Sequence, residues 1–469
     1  MQTEILYILP ILASVTALFI KDRKLLNYVS MGFAISILAC VLTFLPNFLS
    51  ENTVITGSLN FRMDGFSYIF VLLVGLAAPL VIWSSFSENH NRSNVYYSLL
   101  FIVFFALLAV FTTSNAVQFY IFWELGLIPM YFICGFWGKD LTQKIVNKFF
   151  IYTVFGSLLM LGAFIYLYSK MPASQTFSIS GLYGLNLSIT EQIWIFFAFF
   201  VAFAIKIPVF PFHTWQAPTY SSSPMSATMV LAGVMMKMAI YGMLRFLLPI
   251  CPLALNELGF GLSILTSIGI LYASIIAIKQ TELKKLFAYM SMAHAGLMVV
   301  AIFSANSNAI QGATLQVITH GIIVIALFFI ANIYETRLEN NEGGGIASIA
   351  PRFALMFLLL TLASIALPLT GSFISEFMML LGIFKTHSVL AIFSASGIIL
   401  GAVYMLRMYQ YKMLGELKNK SLVFKDINLR ETLILSIVML IVVFIGIYPN
   451  FLLNISESTI NEILNLIIK

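Results

Sequence analysis

Apolar residues in this chain come in long unbroken runs, with neither the alternation of a half-buried strand nor the three-to-four spacing of a surface helix. The runs cover 4–20, 26–48, 65–86, 95–112, 115–137, 146–169, 190–212, 224–248, 257–279, 285–304, 308–332, 353–384, 388–411 and 431–455, separated by short stretches rich in charge, Asn, Gly or Ser. A helix crossing the hydrocarbon of a bilayer needs about 20 mostly apolar residues. The pattern therefore predicts about fourteen transmembrane helices: an all-α polytopic membrane protein whose single transmembrane domain fills 1–469. The first run carries Glu4 and ends in Lys21, Asp22, Arg23 and Lys24 with no small-residue cleavage site, so it reads as a span and not as a signal peptide. Residues 456–469 read as a short amphipathic tail.

Composition agrees with a lipid solvent: 60% of the 469 residues are hydrophobic and 9% are charged, against roughly 25% charged in ordinary soluble domains. The net charge of +6 is spread through short loops, which argues against a nucleic-acid partner. Alternating the loops puts seventeen cations on one side, among them Lys139, Lys279, Lys284, Lys412, Lys418 and Lys420, and five on the other: Arg62, Lys170, Arg245, Lys385 and Lys469. By the positive-inside rule both termini face outward. Cys40, Cys134 and Cys251 are far apart and form no metal or cluster motif.

A few charges remain inside the runs: Glu124, Lys206, Lys237 and Glu376, joined by His294 and His320. Arg407 lies close enough to a span end to snorkel, and His213 belongs at the mouth of the seventh span. A charge at mid-depth costs at least ~2.5–3.5 kcal/mol. Buried pairs that only hold helices together are the plain alternative, but six such groups point to proton sites, because burial and neighbouring charge together set the proton affinity of lysine, histidine and carboxylate. Two spans are interrupted, the seventh at Lys206, Pro208 and Pro211 and the twelfth at Pro368, Thr370 and Gly371 before Glu376. Broken backbone survives in a bilayer only where protein or a wet cavity satisfies it. The breaks lie five spans apart, an offset that reverses direction across the membrane, so 95–248 and 257–411 read as two inverted five-helix repeats.

Trp123, Glu124, Ile128, Pro129, Met130 and Tyr131; Lys206, Pro208, Pro211, His213 and Trp215; Leu231, Gly233 and Lys237; and Leu367, Pro368, Glu376 and Phe377 resemble the motifs of the antiporter-like membrane subunits of respiratory complex I, in order and along the whole chain. Ile128 to Tyr131, Thr319-His320-Gly321 and Glu376 are similar to the subunit M branch of bacterial NADH-quinone oxidoreductase; the subunit N branch usually has lysine in place of Glu376. The resemblance implies a proton-translocating subunit of a bacterial inner-membrane enzyme. In it Glu124 pairs with Lys206, Lys237 is the central proton carrier, His294 and His320 continue the polar axis, and Glu376 is the exit-side site. It also implies that FMN, iron–sulfur clusters and quinone belong to partner subunits, with adjacent antiporter-like subunits and the bilayer as neighbours.

The sequence departs from that family at 217–223, where acidic and histidine residues are common but Ala217, Pro218, Thr219, Tyr220 and Ser221 to Ser223 stand; the expectation is that hydroxyls with water substitute. It departs again at Ala366, Leu369 and Ser375, where glycines are usual, which implies a stiffer break. There is no dinucleotide fingerprint and no P-loop, and Gly343 to Gly345 read as a connector. The alternative function is a subunit of a Mrp-type sodium–proton antiporter, of the same ancestry.

Overall fold

A computed structural model describes residues 2–50, 53–139, 142–172, 177–338, 343–417 and 423–467; Lys418, Lys420 and Lys469 lie outside them. The long apolar runs fold as helices: α1 (Gln2–Phe19), α2 (Arg23–Leu42), α3 (Gly65–Ser85), α4 (Ser93–Thr112), α5 (Ala116–Trp137), α6 (Thr142–Lys170), α7 (Ile189–Lys206), α8 (Met225–Ile250), α9 (Pro252–Lys279), α10 (Leu283–Phe303), α11 (Ser307–Leu338), α12 (Pro351–Ser364), α13 (Gly371–Thr386), α14 (Ser388–Met413), α15 (Leu429–Ile447) and α16 (Asn450–Ile467). Their starts follow from local chemistry. Asp22, Asp64 and Asn115 accept from backbone N–H groups of the first turns of α2, α3 and α5, and Ser188 with Glu191 and Asn428 with Glu431 form capping boxes on α7 and α15.

Among the described residues twelve helices are long and apolar enough to cross a membrane, in place of the fourteen runs. The first run has a shorter apolar helix, Thr3–Phe19, and the 353–384 run is divided into α12 and α13. Both interruptions expected from proline are present, after α7 and between α12 and α13.

Helices α3, α8, α10 and α11 form the interior, with most of their residues shielded on every side. Around them α1, α2, α5, α6, α9, α14 and α15 keep apolar outer faces, including Ile8, Ile151, Ile268, Ile399 and Leu440. Such exposure suits lipid or neighbouring membrane chains. One end of the bundle carries a two-residue hairpin, β1 (Ile55–Thr56) against β2 (Arg62–Met63), antiparallel with Ile55 opposite Met63. Its neighbour Phe61 bridges to Thr113, and Asn115 bridges to Ser178. The last spanning helix ends at Ile447, before the 455 expected, and the amphipathic tail belongs to α16, which starts at Asn450 and lays Leu452, Ile455, Ile460 and Ile463 on α3, α11 and the end of α8.

The opposite end gathers charge. Lys139 and Lys284 reach Glu335 at 3.4 and 3.2 Å, and Arg337 grips both oxygens of Glu431 at 2.7 and 2.6 Å. Glu88 caps α8, accepting from the Ser226 backbone N–H at 3.2 Å and its hydroxyl at 2.6 Å. Lys139, Lys284 and Arg337, three of the cations that loop alternation grouped together, thus meet acids on one face of the bundle.

Candidate functional site

Lys237 owes its position to two glycines. On α8, Gly233 has no room for a side chain: a Cβ there would lie 3.0 Å from the Gly321 carbonyl oxygen and 2.6 Å from Ile325 on α11. Gly321 is the mirror case, with the Gly233 carbonyl 2.8 Å from where its Cβ would be. The two backbones can therefore touch, which is the use membrane helices make of small residues. Lys237 follows Gly233 by about one turn and His320 precedes Gly321, so the close approach brings the lysine Nζ to 2.8 Å from His320 Nδ1, with Lys237 wholly buried. Wide π turns at Leu231–Met235 and Met243–Leu247 flank this stretch of α8, a distortion common at functional positions.

From His320 the polar line continues sideways. His320 Nε2, the ring nitrogen away from the lysine, has no hydrogen-bond partner. The His294 ring on α10 stands 5.4 Å away, centroid to centroid, and His294 Nδ1 lies 3.0 Å from Glu376 Oε1 on α13. Glu376 is 2% exposed and accepts a hydrogen bond from Gln316 Nε2 at 3.2 Å. Gln316 in turn accepts from Thr319 at 2.9 Å and from Ser375. A cavity of about 20 Å³, room for one water, is lined by His294, Ser364, Glu376, Ser394 and Tyr404. Lys237, His320, His294 and Glu376 therefore form a single line crossing from the first half of the chain to the second.

The break between α12 and α13 follows directly on Ser364 and Ile365, which line that cavity. Ala366 and Leu369 adopt φ of 58° and 75°, the left-handed region that glycine enters without cost and other residues enter at about 1–2 kcal/mol. The break thus forms without glycine, at a strain cost. Thr370 closes the turn, its backbone N–H and hydroxyl both donating to the Leu367 carbonyl at 3.1 and 2.6 Å.

The second break positions Lys206. Pro208 has no N–H for the Ala204 carbonyl, so Val209 N–H takes it at 2.8 Å, and the Ile205 carbonyl receives the Trp215 indole N–H at 3.0 Å. Lys206 is left at the end of α7, buried, its Nζ 5.3 Å from the centre of the Trp123 ring and without a hydrogen-bond partner. Glu124 is the next residue along α5 from Trp123, whose ring faces that Nζ. Glu124 and Lys206 do not form a direct ion pair within 4.0 Å, and Glu124 Oε1 is also unpartnered. Glu124 lies on the same stripe of α5 as Val117, Ile121 and Ile128, which face outward. Among the described residues no hydrogen bond links Lys206 to Lys237.

Other assignments change. Arg245, grouped above with the loop cations, is 7% exposed and more than a turn inside α8, where it pairs with Asp64 and donates to Ser67 at 3.2 Å. Guanidinium burial is affordable here because that carboxylate and the Phe66 and Tyr241 rings receive it, at 5.1 and 5.5 Å. This pair faces an opening of about 350 Å³ lined also by Arg62, Tyr183 and Glu462. Ser221, Ser222 and Ser223 all donate to carbonyls three or four residues back, so their hydroxyls are already engaged on their own turn. His213 sits beyond the α7 break against Phe210 and Tyr272. Gln316 escapes a reading based on charge; its signal is an amide one turn before Thr319 and His320 inside an apolar run. Among the described residues no three metal-ligating groups cluster.

Residues 113–401 match the family of membrane-spanning chains described as NADH:quinone oxidoreductase/Mrp antiporter. NADH-quinone oxidoreductase subunit M of Rickettsia prowazekii (strain Madrid E) is 38% identical over 406 residues, covering 86% of this chain and 82% of that one. The Rhodobacter capsulatus protein of the same description is 36% identical over 403 residues, 83% of this chain and 78% of its own. The fold superposes on a chain of respiratory complex I from Thermus thermophilus with bound NADH at a TM-score of 0.89 and 25% identity, covering 100% of both. It also superposes on a chain of the Mrp complex from Dietzia sp. DQ12-45-1b at 0.85 and 16% identity, covering 100% of this chain and 99% of that one.

Proposed function

The chain belongs to the NADH:quinone oxidoreductase/Mrp antiporter family of membrane subunits, and on that premise we propose that it is the subunit-M-type, proton-translocating chain of an NADH-quinone oxidoreductase. NADH, FMN, the iron–sulfur clusters and quinone are handled by partner subunits, and adjacent antiporter-like subunits are its membrane neighbours. It is a multi-pass protein of the bacterial inner membrane with both termini on the outer side, the basic face lying inward.

The observation that carries the reading is the line Lys237, His320, His294, Glu376, each group within 2.8–5.4 Å of the next. Protons enter from the basic side to Lys237, pass along side chains and single waters through His320 and His294, and leave past Glu376. Glu124 and Lys206 gate this flow by charge rather than contact. Glu124, on an outward stripe of α5, takes the signal from the adjacent subunit. The broken α7 and the α12–α13 break then occupy equivalent places in two inverted repeats, 95–248 and 257–411.

A Mrp-type antiporter shares the architecture, but its chain is 16% identical, whereas relatives at 36–38% are oxidoreductase subunits. The test is NADH-driven proton uptake by vesicles carrying the whole complex. Lys237→Ala is expected to leave the complex assembled, with flavin and iron–sulfur subunits attached, and to lower protons taken up per NADH. Unchanged uptake would assign the polar line to structure alone.

A further inference from the structure

At the basic face, the ends of α9 and α14 part around a cavity of about 440 Å³. Among the described residues its lining includes Lys279, Gln280, Thr281, Tyr404, Arg407, Tyr411 and Lys412 and no carboxylate. The adjacent acid, Glu282, is held by Lys285 at 2.8 Å. Among the described residues Lys279 and Arg407 meet no carboxylate within 4.0 Å; Arg407 instead lies 5.4 Å from the centre of the Tyr411 ring.

Each of the two helices leads an exposed apolar stripe up to its cation. On α9, Ile268, Tyr272 and Ile275 precede Lys279 at spacings of three and four, and Ile268 and Ile275 are each 52% exposed. On α14, Ile399 and Val403 precede Arg407 and Tyr411 at spacings of four, 68% and 46% exposed. Spacings of three and four keep a stripe on one helix face. From Ile268 to Lys279 the rise is ~16 Å, close to half of a ~30 Å hydrocarbon core. The geometry is that of one leaflet: a cationic recess at headgroup depth above two parallel strips of apolar side chain.

We propose that this groove binds an anionic phospholipid, its phosphate held by Lys279 and Arg407 with Gln280 and Thr281 as neutral donors, and its acyl chains lying along the α9 and α14 stripes. Basic recesses between transmembrane helices select anionic headgroups in this way, each cation adding to the attraction. A free anion would use the recess but not the stripes, so the stripes favour lipid. Tyr404 lines both this recess and the cavity at Glu376, so the bound headgroup sits one side chain away from the second half of the proton line. The inference needs only that the chain spans a bilayer and stands apart from the assignment of proton carriers.

The test uses the whole complex carrying Lys279→Gln with Arg407→Gln, neither of them in the proton line. Native mass spectrometry after mild detergent extraction is expected to show fewer tightly held anionic phospholipids than in the unaltered complex. Titration of delipidated complex with phosphatidylglycerol is expected to saturate, with affinity falling roughly tenfold or more in the variant; phosphatidylcholine gives no such difference. Lys279→Arg with native Arg407 retains the lipid and shows that the variant's loss is not misfolding. Equal lipid retention in variant and unaltered complex overturns the proposal. So does competition by millimolar inorganic phosphate alone, which assigns the recess to a soluble anion, or cross-linking of a protein subunit to position 403, which assigns the groove to a neighbour.

Discussion

The Lys237 amino group and His320 Nδ1 stand 2.8 Å apart because the glycines beside them, Gly233 and Gly321, allow their helices to touch. The polar line therefore depends on missing side chains as much as on titratable ones. A lysine at mid-depth without that neighbour would have to pull water to itself or lose its charge.

Adding a single methyl group tests this. Gly233→Ala is expected to force α8 and α11 apart, costing about 1–3 kcal/mol as an overpacked core does, and to lower proton uptake per NADH. Gly32→Ala, where a Cβ meets nothing within 4 Å, is the control and is expected to change neither assembly on native gels nor uptake. Normal uptake by Gly233→Ala would mean that the Lys237–His320 contact is dispensable.

Lys237→Ala should reduce proton uptake roughly tenfold or more, the scale of losing a positioned proton-transfer group, with assembled complex largely retained. Replacing Ser221, Ser222 and Ser223 with alanine should matter much less, since their hydroxyls only turn back to carbonyls of their own segment. Parallel loss of assembled complex in both variants would assign Lys237 to packing.

How much of this was visible beforehand depends on what kind of signal each residue gives. Lys237 and Glu376 stand out because a charge inside an apolar run has no inexpensive explanation. Pro208 and Pro368 announce their breaks because proline removes a backbone donor. Arg245 was hidden by lying near a span end, where a cation usually reaches water; only the fold brings Asp64 across to it. Gln316 was hidden because a neutral amide scarcely alters hydropathy, although it holds Glu376, Thr319 and Ser375 together. The tail read as amphipathic from its own pattern, but its docking on α3 and α11 depends on surfaces assembled from distant segments.

The break before Glu376 carries removable strain. Ala366 sits at φ 58°, so Ala366→Gly should stabilise the folded complex by about 0.5–1 kcal/mol, the relief of a left-handed conformation less the added freedom of glycine in the unfolded chain. A rise in the thermal midpoint in detergent is the expected result. Ala366→Val, β-branched at the same backbone angle, should lower it. A drop with glycine would show that Ala366 does not hold the left-handed conformation in the solubilised complex.

The Asp64–Arg245 pair should behave as a stability element with a defined acid limit. Asp64 stands just outside the α3 span. Burial alone would raise its carboxyl, but the Arg245 guanidinium, assisted by the Ser67 backbone N–H and by Arg62, outweighs burial and holds it below the usual carboxylate range. A carboxylate depressed in the folded state contributes stability that is fully present above the unfolded value near ~4 and is lost as pH falls through the lower folded value. Stability owed to the pair should therefore be flat from neutral pH down to about 5 and decline only below about 4. Asp64→Asn, which strands a buried guanidinium, should cost about 3–5 kcal/mol at neutral pH. Replacing both partners with apolar residues, Asp64→Leu with Arg245→Met, should recover much of that loss. The check is thermal unfolding of the detergent-solubilised complex across pH for the three forms. If the double variant were as unstable as Asp64→Asn, the charges would be serving the opening they face, beside Glu462 and Tyr183, and not only each other.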